Sequence, residues 1–493
     1  MSQDKILMKT IKNTLLTIVL VSLTSALLSC SKKTVSGGGG GTVTPPVKTT
    51  PPVKTDVNMW LTNADQTQLI AKQNVSLLFN TTTNTNTTIN VDTTTTYQTI
   101  DGFGFALTGG SAQVINGMNA TQSDALIKEL FSTDSASVGI SYIRLTIGSS
   151  DMSATTYTYD DSGPDVNLQN FSISMESANL IPVLKKILAL DPNIKILACP
   201  WSAPAWMKTN NNLSGGSLLP QYYSTYANYF VKYVQAMSAQ GITIDAITPQ
   251  NEPLNPSNNP AMVEQDTAEA KFIGSYLGPA FQTAGIKTKI ICYDHNCDRP
   301  DYPEYVLSDP TANPYVDGSA FHLYAGDISA LTPVHTAFPN KNIYFTEQAT
   351  FSTGTFSGDL NWHITNLIVG ATRNWSRNVI EWNLASDSNF GPHTTGGCST
   401  CQGAVTISGS SFTRNVSYYI IAHASRFVKP GAVRIASDAS TVFPNVAFKN
   451  TDGSKVLIVL NNSANAASFN LEFNSKIVTS TLNGGAVATY TWK

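Results

Sequence analysis

Thr248-Pro249-Gln250-Asn251-Glu252-Pro253 and Ile343-Tyr344-Phe345-Thr346-Glu347 each close a short apolar run that reads as a buried parallel strand. A carboxylate just past the C-terminal end of such a strand points into the mouth of a (β/α)8 barrel, where that fold keeps its catalytic groups. Most glutamates are solvated surface groups. These two directly follow strand-like segments, and their placement predicts a pair of facing carboxyls. Asn251 offers an amide to a substrate hydroxyl, and Pro253 ends the strand and fixes the turn.

On both sides of these segments strand-like and helical runs alternate, the pattern of parallel βα units and an α/β fold. Barrel strands are expected near residues 100–107, 139–147, 194–199, 243–249, 287–293, 317–322, 342–346 and 378–384, which makes eight. Helices are expected over Ser123 to Phe131, Ser177 to Leu190, Tyr222 to Met237 and Glu269 to Ala284. A last one, from about Ser417 to Val428, is stopped by Pro430 and Gly431. From Trp60 to about Thr99 the chain instead alternates Thr with Val, Ile and Leu, as in Val75-Ser76-Leu77-Leu78-Phe79 and Thr88-Ile89-Asn90-Val91, which reads as short antiparallel strands. Alternation returns from about Val433 to Lys493, as in Val456-Leu457-Ile458-Val459-Leu460. That tail is too short for a whole sandwich. Residues 58–98 and 430–493 are therefore expected to form one β-sandwich domain beside a barrel of residues 99–429.

A chain of 493 residues exceeds one ordinary core, and a large barrel with an accessory domain accounts for its length. Charged residues make up 13%, against roughly 25% in an average soluble protein, with Thr, Asn, Ser and Gly in their place. That composition suits an exported protein with a neutral polar surface. Lys5, Lys9 and Lys12, the apolar run Leu15 to Leu28, and Ser29-Cys30 read as a secretory signal over residues 1–29. Leu27-Leu28-Ser29-Cys30 resembles a bacterial lipobox, which implies lipidation of Cys30 and a membrane-anchored lipoprotein of the cell envelope, facing either the periplasm or the outer surface. Residues 30–57, with Gly37 to Gly41 and two Pro-Pro-Val-Lys repeats, form a tether. Removing residues 1–29 takes away three Lys and one Asp, leaving 27 basic against 32 acidic groups. No basic patch argues for nucleic acid.

Gln98-Thr99-Ile100-Asp101-Gly102-Phe103-Gly104, Tyr142-Ile143-Arg144-Leu145, Pro200-Trp201-Ser202-Ala203-Pro204-Ala205-Trp206-Met207-Lys208, Asn251-Glu252-Pro253 and Phe345-Thr346-Glu347 occur in order at successive strand ends, from about residue 97 onward. Together they resemble glycoside hydrolase family 30. The resemblance implies a barrel fused to a β-sandwich and retaining hydrolysis of β-glycosides, nearest to the group of glucosylceramidase-like proteins and endo-β-1,6-glucanases. In a retaining glycosidase two carboxyls stand about 5–5.5 Å apart across the scissile bond. Glu252 is the expected acid and later base, its pKa raised by the ionised Glu347. Glu347 is the expected nucleophile, held ionised by Arg144 and Tyr324.

Trp201 and Trp382 supply flat apolar faces for sugar, Trp206 either does so or packs under the site, and Asp151, Asn251, His322 and Asn383 supply donors and acceptors that bind substrate or support the site. The resemblance implies that Asp151 grips the outer hydroxyls of the terminal sugar, with Trp201 and Trp382 in the same pocket. The loop Gly391 to Cys401 departs from the Asn- and aromatic-rich loop of lysosomal-type members, so ceramide specificity is not carried over, and the cell-envelope setting favours a β-glucan. No cofactor or metal is expected, and a monomer is. Cys292 with Cys297, and Cys398 with Cys401, first read as disulfides in an exported chain, with local or crossed pairing open and a four-Cys zinc site the minor alternative. Cys199 reads as a buried thiol. The activity expected first is an endo-β-1,6-glucanase; rival readings are a glucosylceramidase-like β-glucosidase, a xylanase, xylosidase or fucosidase of the same family, a glycan-binding lipoprotein, which would not need paired carboxylates, and a purely structural envelope protein, which the site and the tether disfavour.

Overall fold

The computed structural model describes residues 51–134 and 136–493. Cys30, the expected signal segment and the tether up to residue 50 lie outside the described residues. Eight parallel strands form the central sheet: β1 (Gly102–Leu107), β2 (Tyr142–Thr146), β3 (Lys195–Cys199), β4 (Ala246–Ile247), β5 (Lys289–Cys297), β6 (Val316–Gly326), β7 (Asn342–Glu347) and β8 (Asn378–Glu381). They pair in the order β7-β6-β5-β4-β3-β2-β1-β8, so the strand order runs round a ring. The seam between β7 and β8 is spanned by the Arg377 N–H donating to the Ile343 carbonyl at 2.9 Å. The Phe345 N–H, donating to the Asn378 side chain at 2.9 Å, reinforces it. β1 and β2 are buried along their whole length, because side chains fill the ring inside and helices cover it outside. Tyr142, Leu197, Ala246, Ile291, Ala320, Tyr344 and Ile380 plug the interior, which leaves the mouth as the working end.

β4 is shorter than the expected 243–249. The Asp245 carboxylate takes the Ile196 N–H at 2.9 Å in place of a ladder bond, and Pro249 has no N–H to give. The helix expected over Glu269 to Ala284 begins at Asp266 and carries a wide turn: Asp266–Phe272, then a π segment Ile273–Leu277, then Gly278–Thr283. A Cβ on Gly278 would stand 2.2 Å from the Tyr315 ring, so only glycine lets that segment lie against its neighbour.

A second large sheet has nine strands and draws on both ends of the described chain. Its order is Ala71–Lys72, Asn58–Thr62, Val487–Trp492, Lys455–Leu460, Asn445–Lys449, Val433–Ser437, Thr87–Thr99, Ala467–Phe473 and Lys476–Leu482. The long strand Thr87–Thr99 pairs antiparallel with Val433–Ser437 through two register shifts and parallel with Ala467–Phe473, and such bulges bend a strand. The bend closes one core over Ile89, Val91, Leu457, Val459, Phe469, Leu471 and Val478, which makes the layer a sandwich. Val75 to Phe79, expected as a strand, is irregular: Leu77 gives its carbonyl to the Asp56 and Val57 N–H groups and its N–H to the Thr55 hydroxyl, so no partner strand is left for it.

Sandwich and barrel meet through buried contacts. Trp60 packs on Phe427 with ring centres 4.6 Å apart. His423, on the helix Val416–Ser425, sits between Thr489 Oγ1 at 2.8 Å and Thr62 Oγ1 at 2.9 Å.

Candidate active site

The expected site residues converge on the C-terminal ends of the barrel strands. Arg144 is in β2, Asp151 follows it, Trp201 follows β3, Glu252 follows β4, His322 and Tyr324 are in β6, Glu347 ends β7 and Trp382 follows β8. Glu252 has φ 45°, and Tyr293 and Asp294 in β5 have φ 77° and 65°. Side-chain-bearing residues rarely occupy this left-handed region, and its cost is commonly met where a side chain must be re-aimed. The Glu252 N–H donates to the Asp294 carbonyl at 3.0 Å, which ties the two irregular strand ends together.

Arg144 is fully buried and organises the charges. Its Nη1 reaches Glu347 Oε2 at 2.5 Å, and its Nη2 reaches Asp294 Oδ2 at 2.8 Å and Asn251 Oδ1 at 2.7 Å. The Tyr324 hydroxyl donates to the other Glu347 oxygen at 3.0 Å. Glu252 accepts from the Asn255 amide at 2.7 Å and the Asn258 amide at 3.1 Å, and its Oε1 lies 3.3 Å from His322 Nδ1. Asp294 Oδ1 meets His322 Nε2 at 3.1 Å and Thr346 Oγ1 at 2.6 Å, and Oδ2 accepts from Thr248 Oγ1 at 2.7 Å. One atom each of Glu252, His322 and Glu347 lie within 4.8 Å of one another. A cation could be reached by those atoms, yet both His322 nitrogens already face carboxylates and Arg144 supplies positive charge to Glu347.

Burial works to raise the Glu252 carboxyl. The hydrogen bond and charge of His322, helped by His295 and the Asn255 amide, outweigh burial and bring it down to about 2. Glu347 moves the other way, raised by burial and by the Glu252 and Asp294 charges against the pull of His322 and Arg144. Burial lowers His322, but Glu347, Asp294 and Glu252 around it lift it to about 9. The expected order, Glu252 raised and Glu347 low, is therefore reversed. The reason is that the imidazolium stands directly on Glu252, a contact no strand-end rule predicts.

Asp151, Trp201, Glu252, Asn258, Tyr324, Glu347, Phe351, Trp382 and the Cys398–Cys401 pair line a cleft of about 150 Å³, small beside the roughly 300–1,000 Å³ of a drug-sized ligand pocket. Trp201 and Trp382 stand 5.3 Å apart with an interplanar angle of 32°, and the Arg144 guanidinium lies 4.9 Å from the first ring. Burial and the Glu347 charge raise Asp151 to about 7. A larger cavity, about 580 Å³, opens at the opposite end of the barrel between Lys195, Asp245, Ile244 and Lys289, away from the paired carboxyls.

The structure corrects one expectation and decides three that stood open between binding sugar and supporting the site. Asn383 is fully buried and spends its amide on Ser111, Thr108 and the Ala385 carbonyl, so it supports the strand end and does not face the cleft. Both nitrogens of His322 are occupied by carboxylates, so it too acts from behind the wall. Trp206 packs edge-on against Tyr222 and donates to the Asp160 carbonyl at 2.8 Å, outside the cleft. Cys398 and Cys401 are joined to each other, whereas Cys292 and Cys297 are free and buried. Those two lie on one strand, where five residues span about 16 Å, against the roughly 7 Å a disulfide can bridge. Sequence reasoning missed Asp294, Asn255 and Asn258. Asp294 follows the expected strand 287–293 directly, and the rule that found Glu252 applies to it equally.

Residues 100–428 match the glycosyl hydrolase family 30 TIM-barrel domain, and residues 431–490 match the glycosyl hydrolase family 30 beta sandwich domain. The Endo-1,6-beta-D-glucanase neg1 of Aspergillus fumigatus is 38% identical over 397 residues, 75% of this chain and 79% of the relative. The Lysosomal acid glucosylceramidase of Mus musculus is 31% identical over 429 residues, covering 80% of this chain and 82% of its own length. Among solved structures, the endo-beta1,6-glucanase BT3312 superposes with a TM-score of 0.83 at 36% identity, over 89% of this chain and 99% of that one. With a barrel and a sandwich that both match, and two carboxyls meeting at the barrel mouth, the chain is a glycoside hydrolase and belongs to glycosyl hydrolase family 30.

Proposed function

We propose that the protein cleaves β-1,6-linked glucan internally by double displacement, with Glu347 as nucleophile and Glu252 as acid and base. The observation that carries the mechanism is the approach of Glu252 and Glu347 to within 4.8 Å. That spacing leaves no room for an attacking water between them, as retention requires. Glu347 attacks the anomeric carbon, with Arg144 and the Tyr324 hydroxyl placing its two oxygens. The leaving oxygen is protonated through Glu252, whose carboxylate takes the proton of the His322 imidazolium from Nδ1 while Nε2 stays on Asp294. Water then enters where the leaving group was, gives its proton to Glu252, and breaks the glycosyl ester. The linkage is supported by the relatives and the solved neighbour that are endo-1,6-β-glucanases.

Product analysis on β-1,6-glucan beside glucosylceramide, β-1,3-glucan and xylan tests the substrate. Short β-1,6-linked oligosaccharides are expected. Glucose released only from glucosylceramide or small β-glucosides would instead mean an exo-acting glucosidase. For the roles, Glu347→Gln is expected to abolish hydrolysis and leave the fold intact, and undiminished turnover would remove the nucleophile assignment. Glu252→Ala should accumulate glycosyl-enzyme that azide relieves, since azide attacks without base help. We further propose that the protein is a monomeric envelope lipoprotein held to the membrane by a lipid on Cys30. Fatty-acid labelling of the wild type that Cys30→Ala abolishes is the expected result.

A further inference from the structure

The loop after β8 carries a covalent bridge at the cleft. Cys398 and Cys401 both line the cleft, and Cys401 packs with Met152, Trp201, Ala349 and Trp382 in one buried cluster. The same turn is fastened to three other loops. It pairs Cys401 with Phe351, the Thr394 hydroxyl donates to the Asn259 carbonyl at 2.6 Å, and the Thr394 N–H donates to the Asp151 carbonyl at 2.8 Å. The Cys398 N–H donates to Asp151 Oδ2 at 3.3 Å. Gly397 lies so near that a Cβ there would stand 2.4 Å from the Asp151 carbonyl. Main chain of the bridged turn thus holds Asp151 at both its carbonyl and its carboxyl.

A pyranose whose reacting carbon sits between Glu252 and Glu347 turns the ring carbons across from it, with their hydroxyls O3 and O4, toward the opposite wall. Asp151 and the bridged turn share this small cleft with the two glutamates. We propose that the disulfide-closed turn over residues 394–401 is a specificity-determining element. It holds the Asp151 carboxyl on the hydroxyls opposite the reacting carbon and leaves no space for a sugar attached through them. Chains continued through O3 or O4 are shut out, and chains continued through the exocyclic O6, which projects from the ring's edge, are accepted. The inference rests on the reading of the site given under Proposed function. It adds the source of linkage selection, which lies in a loop of this chain and not in the paired carboxyls.

The test compares the wild type with the double substitution Cys398→Ala and Cys401→Ala in the full chain. KM for 4-nitrophenyl β-D-glucoside and for β-1,6-glucan should rise about tenfold, as for a lost hydrogen bond to a charged group, with kcat within about threefold, as for binding felt equally in ground and transition states. Cleavage of β-1,3-glucan relative to β-1,6-glucan should increase. If the variant does not fold, wild-type enzyme treated with a phosphine, its opened bridge verified by mass, must show the same changes. Unchanged KM and an unchanged linkage ratio in folded, bridge-free protein overturn the inference. A wild type that turns over the nitrophenyl glucoside but no β-1,6-glucan sinks the substrate reading alone, and the turn is then judged by KM for the small glucoside. A wild type inactive on every β-glucoside overturns both.

Discussion

Asp294 touches no cleft surface, yet both cationic side chains that govern the glutamates lean on it. Its oxygens take Arg144, Thr248 and Cys199 on one side and His322 and Thr346 on the other, and the Arg144 charge holds it ionised well below the carboxylate range despite burial. Breaking a buried pair leaves an uncompensated charge, so Asp294→Asn should cost about 3–5 kcal/mol in denaturant unfolding. His322 provides a second check. Its folded pKa of about 9 lies above the ordinary 6.5, so its stabilisation is complete below about pH 6.5 and is lost as pH rises through about 9. The unfolding temperature should fall across that window, and His322→Asn should flatten the fall. The alkaline limb of kcat/KM should shift or vanish in the same variant, because the proton store beside Glu252 is gone. The positions of Glu252 and Glu347 were legible because strand ends leave a mark in sequence. Their protonation order was not, since it depends on a 3.3 Å contact between residues 70 apart.

Secondary-structure elements were read best where they are buried. All eight barrel strands could be seen as mainly apolar runs, because both faces of a parallel sheet are covered, and Arg144 can interrupt β2 because Asp294 and Glu347 pair with it. Val75 to Phe79 has the same composition but ends among turn-like contacts, since a strand also needs a neighbour and sequence alternation does not supply one. The helix Val416–Ser425 illustrates how elements of the two layers are locked together. Its His423 is fully buried, and burial lowers its pKa to about 3, so it folds neutral. A depressed histidine contributes stability above its ordinary pKa of 6.5 that is lost as pH falls toward 3. Acid should therefore loosen the barrel from the sandwich, and His423→Gln should unfold over a narrower acid range in tryptophan fluorescence, through Trp60 beside Phe427.

At the scale of the whole molecule, the sandwich was legible only as an incomplete count of strands at each end of the chain, which required the ends to meet. The meeting is direct: Asn58–Thr62 pairs along its length with Val487–Trp492, and Val487–Trp492 pairs on its other edge with Lys455–Leu460. Removing residues 486–493 would strip partners from both sides and expose the apolar Val459, Leu457 and Met59. Such a truncation is expected to abolish soluble expression, or to lower the unfolding temperature by more than about 10 °C, taking 2–4 °C per kcal/mol for a large domain. The same pairing orders events during synthesis. The first described strand waits for Val487–Trp492, separated from it by the entire barrel, so this pairing forms only after the barrel segment has been made. Until that late strand arrives, the early one keeps an edge without its longest partner, and the two segments that flank the barrel close the sheet together.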